Sequence, residues 1–479
     1  MTNINDARNL TLLMDFYELT MAAGYFEEGY TDKVGVFDMF FRKIPDGGGF
    51  AIAAGLEQFC EVVDNLHFSE EDIEYLRGKG CFSEQFLDYL RRFEFHCNIW
   101  AVAEGTPIFP HEPIVIVEGP AIEAQLIETL LLVTFNHQSL IATKTNRIVR
   151  AAQGRPVMEF GSRRAQGYDA AVLGARAAYI GGVVGTACVM ADRQFGIPAL
   201  GTMAHSWVQM FPSEYEAFKR YADNCTLLVD TYSVVKSGVP NAIRVFDEVL
   251  KPLGIRPKGV RIDSGDIAYL SKKARKMLDA AGYPDCGVCA SNSLDEYLVR
   301  DLILQGAQVT NFGIGENMIT SKSDPVFGGV YKLAAVKDGG RYLPKIKISE
   351  TAEKTTIPHL KNLYRIYDND TGKAMADYIT MADETVDVTD GITLFDPVET
   401  WKKRTFTNVR AERLNRPIYV NGKRVYENPP LRDIRDFCAA QVATLWDEVT
   451  RFENPHRYYV DLSQKLWDER QRLLTEFGR

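Results

Sequence analysis

The sequence predicts an α/β protein: an irregular α/β barrel of about seven parallel strands plus a mixed α/β domain formed from the N- and C-terminal parts of the chain. Between residues 157 and 315, a short apolar run ends abruptly in small or polar residues again and again. These stops lie roughly 15 to 32 residues apart, the length that a strand, a loop and a covering helix occupy in a βα unit. They read EFGSRR from Glu159, GTA from Gly185, GTMAHS from Gly201, DTYS from Asp230, RIDSGD from Arg261, SNSLDE from Ser291 and FGIG from Phe312.

The loops that follow these strands are predicted to form one common site. Parallel strands place their functional loops at the same end, so the polar stops converge on a single pocket. This arrangement predicts an enzyme. The predicted parts are residues 1–150 for the N-terminal half of the mixed domain, 151–340 for the barrel, and 341–479 for C-terminal hairpins and helices that pack on both.

Composition narrows the function classes. The 479 residues are 46% hydrophobic and 25% charged, and the net charge of −9 disfavours non-specific binding to nucleic acid or to an acidic membrane. A local arginine cluster can still bind a small anion. The N-terminus lacks the pattern of a secretory signal, and residues 170–191, with Arg176 and several glycines, are interpreted as a barrel helix that runs into a buried strand. Eight cysteines without disulfide-scaffold density indicate a reducing compartment, so we expect a cytoplasmic protein.

The two ends of the chain carry patterns of their own. An apolar run predicts a strand at 34–42, and apolar positions at three- and four-residue steps predict one long helix at 121–152. Asn421-Gly422 is typical of a two-residue hairpin turn, because both residues tolerate positive φ. The other predicted elements are helices within 55–92, strands within 99–118, a hairpin around residues 369–372, and final helices at 431–451 and 460–477.

Two motifs suit an anionic ligand. FGIGEN supplies Gly313 and Gly315, whose backbone N–H groups can approach a phosphate, although a tight turn after a strand explains the same residues. RIDSGD places Arg261 and Asp263 at a strand end. Arginine can bind a carboxylate or phosphate in a fork, and the carboxylates can bind ribose hydroxyls or Mg²⁺. The alternative is that Asp263 or Ser264 simply caps a helix.

His205 is the candidate reactive group, because it alone among seven histidines lies in a strand-end loop of small residues. There it can act as a nucleophile or as a general acid or base, whereas the alternative is a buried structural imidazole. Phe160 and Tyr17 offer faces for a flat heteroaromatic ring, although either could be simple core. Cys286 and Cys289 form a C-x-x-C pair without a second pair at metal-site spacing, which disfavours metal or redox chemistry.

Taken in order along nearly the whole chain, the motifs resemble those of the nicotinate phosphoribosyltransferase family. That family joins nicotinate to phosphoribosyl pyrophosphate, giving nicotinate mononucleotide and pyrophosphate with coupled ATP hydrolysis and Mg²⁺. The resemblance implies the type II phosphoribosyltransferase fold, a role in NAD biosynthesis, and a homodimer with shared active sites. The motifs are DFYELTM at 15–21, EFGSRRAQG at 159–167, GTMAHS at 201–206, RIDSGD at 261–266, NFGIG at 311–315 and GGVYKL at 328–333.

The resemblance also implies roles for single residues. His205 matches the histidine that ATP phosphorylates, and Tyr17 and Phe160 match the aromatic clamp on the pyridine ring, with Tyr17 donated by the other subunit. The remaining matches are Thr202 and Arg261 at the nicotinate site; Arg163, Asp230 and Asp263 around the phosphoribosyl group, with Asp263 also a candidate Mg²⁺ ligand; and Gly313 and Gly315 at the 5′-phosphate loop.

At two positions, the residue in this chain differs from the residue in related enzymes. Glu316 stands where some family members have a phosphate-contacting threonine, so that contact is not assigned, and SNSLDE has no assigned role. The related nicotinamide enzyme has an aspartate where this chain has Ala187, which favours the acid over the amide as substrate. The open alternatives are a nicotinamide phosphoribosyltransferase, a quinolinate phosphoribosyltransferase, which is shorter and needs no phosphorylated histidine, and a catalytically inactive barrel that serves as a binding protein.

Overall fold

A computed structural model describes residues 8–222, 226–351 and 354–478. The chain divides into two compact units. The first, the parallel-sheet unit, spans Ile141–Pro325. The second, the two-part unit, combines the chain up to Leu140 with the chain from Val326 onward. Both units mix helices and strands, which confirms the predicted α/β class.

The N-terminal elements belong to the two-part unit, except that the last helix continues past Leu140 into the parallel-sheet unit. Ser69 and Ser83 cap two of the helices through their hydroxyl groups, as short polar residues commonly do. The long helix predicted at 121–152 is interrupted at Leu126-Ile127. The elements are α1 (Phe16–Glu27), β1 (Val34–Phe40), β2 (Ala51–Ile52), α2 (Leu56–Val63), α3 (Glu70–Gly78), α4 (Glu84–Arg91), β3 (Asn98–Ala101), β4 (Pro107–Ile108), β5 (Val115–Pro120), α5 (Ala121–Gln125) and α6 (Glu128–Ala151).

The parallel-sheet unit alternates strands and helices as the spacing predicts. Its core is formed by the strands' apolar side chains and the helices that cover them, including Val260, Val288 and Phe246. The elements are β6 (Val157–Glu159), α7 (Tyr168–Gly181), β7 (Gly185–Thr186), α8 (Val189–Phe195), α9 (His205–Gln209), α10 (Glu214–Lys219), β8 (Leu227–Leu228), α11 (Val239–Val245), β9 (Gly259–Ile262), α12 (Ile267–Ala280), β10 (Gly287–Ala290), α13 (Glu296–Leu304), β11 (Asn311–Ile314) and α14 (Glu316–Ile319).

The sheet of this unit has six strands rather than the predicted seven. Its order is β7-β6-β11-β10-β9-β8, and every pair is parallel. The run before GTMAHS forms only an isolated bridge between Thr186 and Ala199. Pro198 lies beside that bridge and has no N–H to donate to a ladder, which limits pairing there. Across the described residues the outer strands β7 and β8 do not pair with each other, so a closed barrel of seven strands is not confirmed.

The C-terminal elements complete the two-part unit. A seven-stranded sheet in the order β13-β12-β1-β5-β3-β19-β20 combines strands from the N-terminal part of the chain with strands from residue 330 onward. Asn421 and Gly422 both have positive φ in the β19–β20 hairpin, which confirms that turn. The elements are β12 (Val330–Asp338), β13 (Arg341–Pro344), β14 (Lys361–Asp368), β15 (Ala374–Met381), β16 (Ile392–Phe395), β17 (Lys403–Phe406), β18 (Val409–Arg413), β19 (Arg416–Val420), β20 (Lys423–Arg424), α15 (Leu431–Thr444), β21 (Val460–Leu462) and α16 (Gln464–Phe477).

Two further observations concern helix length and the cysteines. In the described ranges, no helix combines the length and the apolar character that crossing a membrane requires. The seven cysteines within those ranges form no disulfide, and Cys225 lies outside the described residues. Cys286 and Cys289 are buried, and burial raises the pKa of each thiol to about 12, so both are poor nucleophiles at neutral pH.

Candidate active site

Arg261 is the centre of the predicted site at the carboxyl end of the parallel strands. It lies within β9, and its guanidinium group donates in three directions. Nη1 donates to Thr202 Oγ1 at 2.8 Å, Nε donates to Ser291 Oγ at 2.8 Å, and Nη2 pairs with Asp263 Oδ1 at 2.9 Å. The guanidinium carbon also lies 5.5 Å from the centre of the Phe160 ring. One planar side chain therefore connects residues that follow β6, β9 and β10 with Thr202, which follows the isolated bridge at Ala199.

Asp230 and Asp263 lie side by side. The backbone N–H of Asp263 donates to Asp230 Oδ2 at 2.8 Å, and the Ser264 hydroxyl donates to the same oxygen at 2.6 Å. Asp230 Oδ1 is buried and has no hydrogen-bond partner among the described residues. Asp266, rather than Asp263 or Ser264, caps α12 by accepting the N–H of Tyr269. The helix-cap interpretation therefore applies to Asp266, whereas Asp263 and Ser264 make their hydrogen bonds to other residues of the site.

His205 begins α9 and lies close to both a hydroxyl and a carboxylate. Its Nδ1 is 3.1 Å from Thr231 Oγ1, and its Nε2 is 4.0 Å from Asp263 Oδ2. The side chain is 42% exposed, so the alternative of a buried structural imidazole does not fit. A ligand from solvent can reach this ring.

Phe160 requires a glycine on the neighbouring strand. A Cβ atom added to Gly313 would lie 2.5 Å from two carbons of the Phe160 ring. The Phe160 N–H donates to Ile314 O at 2.7 Å, which fixes the backbone beside the ring. Gly313 therefore makes room for an aromatic face, a reason for glycine that is separate from phosphate approach. Gly315 is the residue just before α14 and also lies against the Phe160 backbone, while Arg163 is exposed on the turn Ser162–Arg164.

Glu159 is a residue that sequence reasoning left without a role. It ends β6 and is fully buried, and burial raises the pKa of its carboxyl group. The Thr186 hydroxyl donates to its Oε2 at 2.6 Å, and the Gly161 N–H donates to its Oε1. The exposed Ala187, the predicted selectivity position, donates its N–H to Glu159 O at 2.8 Å. The sequence did contain a signal that could have identified Glu159, because it is an acidic residue at the very end of an apolar strand.

The SNSLDE loop contributes through Ser291, whose hydroxyl donates to Asp263 Oδ1. The next two residues, Asn292 and Ser293, have positive φ, so the backbone turns sharply at this point. At the end of the loop, Glu296 is buried and accepts hydrogen bonds from Lys144 and Arg147 at 2.9 and 2.8 Å. Two cationic residues of α6 therefore help to hold this loop.

Glu316 is paired with cations instead of standing free beside the glycine loop. Its Oε1 lies 2.5 Å from Lys322 Nζ, and its Oε2 lies 3.9 Å from Arg164 Nε. The hydrogen bond from Lys322 lowers the pKa of the Glu316 carboxyl group. The positive charges of Lys322 and Arg164 thus offset the negative charge of Glu316 and reduce the repulsion that it alone would exert on a phosphate.

Tyr17 lies in the two-part unit, on the first turn of α1, and is 43% exposed. Burial and nearby Glu128 raise the pKa of its phenol. Glu18, next to it, is fully buried and accepts the N–H groups of Asp15 and Thr129 at 3.1 and 3.2 Å. This network fixes the start of α1, where Tyr17 stays partly exposed.

The same unit contains a small pocket outside the predicted site. It is lined by Asp38, Phe40, His111, Pro113 and Ile357. Burial, helped by Arg42, Arg470 and Arg457, lowers the pKa of His111 to about 4. The imidazole is therefore neutral at neutral pH although arginines surround it.

An arginine fork, paired carboxylates and a glycine-bearing loop at the carboxyl end of a parallel sheet define an α/β enzyme with an anion-binding site. Sequence comparison identifies which family. The chain matches three descriptions of that family: the nicotinate phosphoribosyltransferase N-terminal domain over residues 12–136, the family itself over 156–371, and its C-terminal domain over 360–470. The chain belongs to the nicotinate phosphoribosyltransferase family.

Full-length relatives agree with this assignment. The chain is 42% identical to the nicotinate phosphoribosyltransferase of Bacillus subtilis, with 98% of this chain and 96% of the relative covered. It is 38% identical to nicotinate phosphoribosyltransferase pncB2 of Mycobacterium tuberculosis, with 96% and 93% covered. The crystal structure of human nicotinic acid phosphoribosyltransferase superposes with a TM-score of 0.84 at 28% identity, covering 98% of this chain and all of that one.

Proposed function

We propose that this enzyme transfers the phosphoribosyl group from phosphoribosyl pyrophosphate to nicotinate, giving nicotinate mononucleotide and pyrophosphate for NAD salvage. ATP hydrolysis is coupled to the transfer through a phosphorylated His205. The observation that carries the proposal is the position of Arg261, which lies against Phe160 and is held by Thr202 and Asp263. A flat ring that bears a carboxylate can stack on the aromatic face and pair with the guanidinium.

The acid is the preferred substrate because nothing at Ala187 can accept a hydrogen bond from an amide. Ala187 is exposed and offers only a methyl group at the predicted selectivity position. A carboxamide loses its discriminating contact there, whereas a carboxylate meets no opposing charge from that side chain. The proposed selectivity therefore comes from the missing acceptor together with the arginine.

The transfer step needs opposite charges at its two ends. The nitrogen lone pair of the pyridine ring forms the new bond to C1 of the ribose, and the bond from C1 to the pyrophosphate oxygen breaks with its electrons going to pyrophosphate. Positive charge develops on the ribose, and the carboxylates of Asp230 and Asp263 suit it. No base is required, because the nitrogen of nicotinate already carries the lone pair.

Mg²⁺ fits the donor set as an ion shared with substrate phosphates. In the described part of the chain, no group of three or more potential side-chain ligands could hold a metal by itself. Asp230 Oδ1 is nevertheless a buried carboxylate oxygen without a protein partner, next to Asp263. Oxygen ligands and phosphate-held sites are typical of Mg²⁺, which would neutralise charge on the leaving pyrophosphate.

His205 is suited to phosphorylation by its exposure and its neighbours. Transfer of the terminal phosphoryl group of ATP forms a bond from a ring nitrogen to phosphorus and releases ADP, and water later hydrolyses that bond. Thr231 and Asp263 flank the two ring nitrogens and can orient the imidazole. Loss of the phosphoryl group returns His205 to its starting state.

We further propose a homodimer in which each active site takes Tyr17 from the partner subunit. In a single chain, the first residues of α7 and α8, which follow strands of the parallel sheet, expose large apolar side chains. Tyr168, Val189 and Met190 are 78%, 72% and 56% exposed, and α1 exposes Phe16 and Tyr17 in the other unit. Apolar residues gathered at functional loops are typical of an interface. A cytoplasmic location remains a prediction from the cysteine content.

The direct test identifies the product. Purified protein is incubated with phosphoribosyl pyrophosphate, nicotinate, Mg²⁺ and ATP, and the mixture is analysed by mass spectrometry for nicotinate mononucleotide and by an enzymatic assay for pyrophosphate. We expect both products, with slower formation when ATP is omitted. Quinolinate in place of nicotinate serves as the matched control and should give neither product. Binding of nicotinate without any product would support an inactive binding protein instead.

A further inference from the structure

The buried carboxylate of Glu159 connects two parts of the proposed pyridine site. Its Oε1 accepts the N–H of Gly161, and its Oε2 accepts the Thr186 hydroxyl at 2.6 Å. The side chain is completely buried, and burial raises the pKa of its carboxyl group. Hydrogen bonds from these donors compensate for the loss of water that an interior carboxylate suffers.

On one side, Glu159 holds the GTA loop at several points. The Thr186 hydroxyl that donates to Glu159 also accepts the Cys188 N–H at 2.9 Å. The Glu159 carbonyl accepts the Ala187 N–H at 2.8 Å. The carboxylate of Glu159 and the hydroxyl of Thr186 therefore hold the residues on both sides of Ala187 in position.

On the other side, Glu159 holds the turn that follows Phe160. The Gly161 N–H bound by Oε1 belongs to the peptide group between Phe160 and Gly161. The Phe160 N–H is bound to Ile314 O, and the ring lies against Gly313. With the peptide groups on both sides of Phe160 fixed, the ring has a defined direction.

We infer that Glu159 is a positioning residue for substrate selectivity, which couples the aromatic face of Phe160 to the selectivity position Ala187 through Thr186. The inference rests on the proposed function, because it takes the pyridine ring to bind between these residues. It predicts that the affinity for nicotinate and the preference for acid over amide both depend on a side chain that does not touch the substrate. Binding of phosphoribosyl pyrophosphate should depend on it much less.

The test compares Thr186→Val, Thr186→Ser and Glu159→Gln. Valine keeps the shape of threonine without the hydroxyl, serine keeps the hydroxyl, and glutamine keeps one acceptor but loses the charge. We expect Thr186→Val and Glu159→Gln to raise KM for nicotinate by about tenfold, as expected for loss of one strong hydrogen bond. KM for phosphoribosyl pyrophosphate should change by less than about twofold, and Thr186→Ser should recover most of the nicotinate affinity.

A structural control separates positioning from general destabilisation. Ser213 caps α10 in the same unit through its hydroxyl, outside the proposed site. Ser213→Ala should lower the melting temperature without changing either KM. Equal increases in both KM values for the Thr186→Val and Glu159→Gln variants, or no increase in either, would overturn the inference.

Hydrogen exchange separates failure of the inference from failure of the proposed function. Glu159→Gln should speed amide exchange at Gly161 and at residues 187–188, whether or not nicotinate is the substrate. Unchanged exchange there would overturn the inference even in an active enzyme. If Glu159→Gln speeds exchange there but the wild-type protein does not turn over nicotinate, the proposed function is refuted and, with it, the link from Glu159 to selectivity.

Discussion

The Nε2 atom of His205 lies 4.0 Å from Oδ2 of Asp263, and the other oxygen of the same carboxylate pairs with Arg261 at 2.9 Å. One aspartate thus lies between the proposed phosphorylated histidine and the proposed nicotinate-binding arginine. The Asp263 backbone N–H is bound in turn to Asp230. This arrangement offers a physical route by which phosphorylation of His205 can alter the site where the ring and the ribose bind, because a phosphoryl group adds negative charge close to Asp263.

Replacement of Asp263 by asparagine should slow phosphorylation of His205. The amide keeps the size of the side chain but loses the negative charge beside the imidazole. We expect the rate at which ATP forms acid-labile phosphoprotein to fall by at least about tenfold, because the variant loses a negative charge that lies 4.0 Å from the imidazole. Intact-mass spectrometry after rapid mixing with ATP measures this rate. His205→Asn should form no phosphoprotein, and phosphorylation at the wild-type rate in Asp263→Asn would show that Asp263 does not assist the histidine.

Replacement of Arg261 by lysine should weaken nicotinate binding. A lysine ammonium cannot reproduce a planar fork that donates to Thr202, Ser291 and Asp263 together. We expect KM for nicotinate to rise by about ten- to a hundredfold, corresponding to about 1.5–3 kcal/mol, with a smaller change in kcat. Steady-state kinetics measure both constants. Arg256→Lys is the control, because Arg256 forms an exposed ion pair with Asp285 and should leave KM unchanged.

Replacement of Gly313 by alanine should displace the Phe160 ring. The new methyl group would lie 2.5 Å from two ring carbons, so the ring or the strand must move. We expect a loss of stability of about 1–3 kcal/mol and a clear rise in KM for nicotinate. Urea unfolding and kinetics test the two effects. Gly78→Ala, at a helical glycine with no atom near its added Cβ, should show neither effect.

The stability of the protein should depend on pH through Glu18. Burial raises the pKa of this carboxyl group to about 7, above its unfolded value of 4.5. Both states bind the proton below the unfolded pKa, whereas between about pH 4.5 and pH 7 only the folded state keeps it, so folding stability falls as pH rises. Glu18→Gln should therefore lose less stability than the wild type between about pH 5 and pH 8 in urea unfolding. A parallel fall in both proteins would contradict this assignment.

The proposed homodimer, in which each active site takes Tyr17 from the partner subunit, predicts complementation between inactive variants. Tyr17→Ala and His205→Ala should each be inactive as homodimers in the ATP-coupled assay. In a mixed dimer, one site receives wild-type Tyr17 and wild-type His205 from different chains, so random exchange should restore about a quarter of the sites. Activity after unfolding and refolding the two variants together measures this. No recovery, with mixed dimers confirmed by native mass spectrometry, would place Tyr17 and its His205 in the same chain.

The sequence was informative where chemistry is local. The polar stop after each apolar run marked the carboxyl ends of β6, β7, β8, β9, β10 and β11, and Asn421-Gly422 marked a hairpin through its own backbone preference. The stop at GTMAHS followed a run that forms only one bridge, because pairing depends on neighbours that a local pattern does not contain. Closure of the sheet likewise depends on pairing between strands that lie far apart in the sequence.

The contacts within the site depend on residues far apart in the chain. The Ser291 hydroxyl reaches Arg261 and Asp263, and Glu159 reaches Thr186, across separations that only the strand order brings together. The pairing of Glu316 with Lys322 was not predicted, because Lys322 lies on a turn and belongs to no motif. Residue type predicted the chemistry of the site, and strand order determines which residues meet.

The central claim is that nicotinate is the substrate and that the site rejects its amide. The most direct measurement is kcat/KM for nicotinate and for nicotinamide, with ATP and phosphoribosyl pyrophosphate in excess, followed by pyrophosphate release. The missing acceptor at Ala187 and the fork of Arg261 predict that nicotinamide is at least about 100-fold poorer. Comparable values of kcat/KM for the acid and the amide would contradict the account.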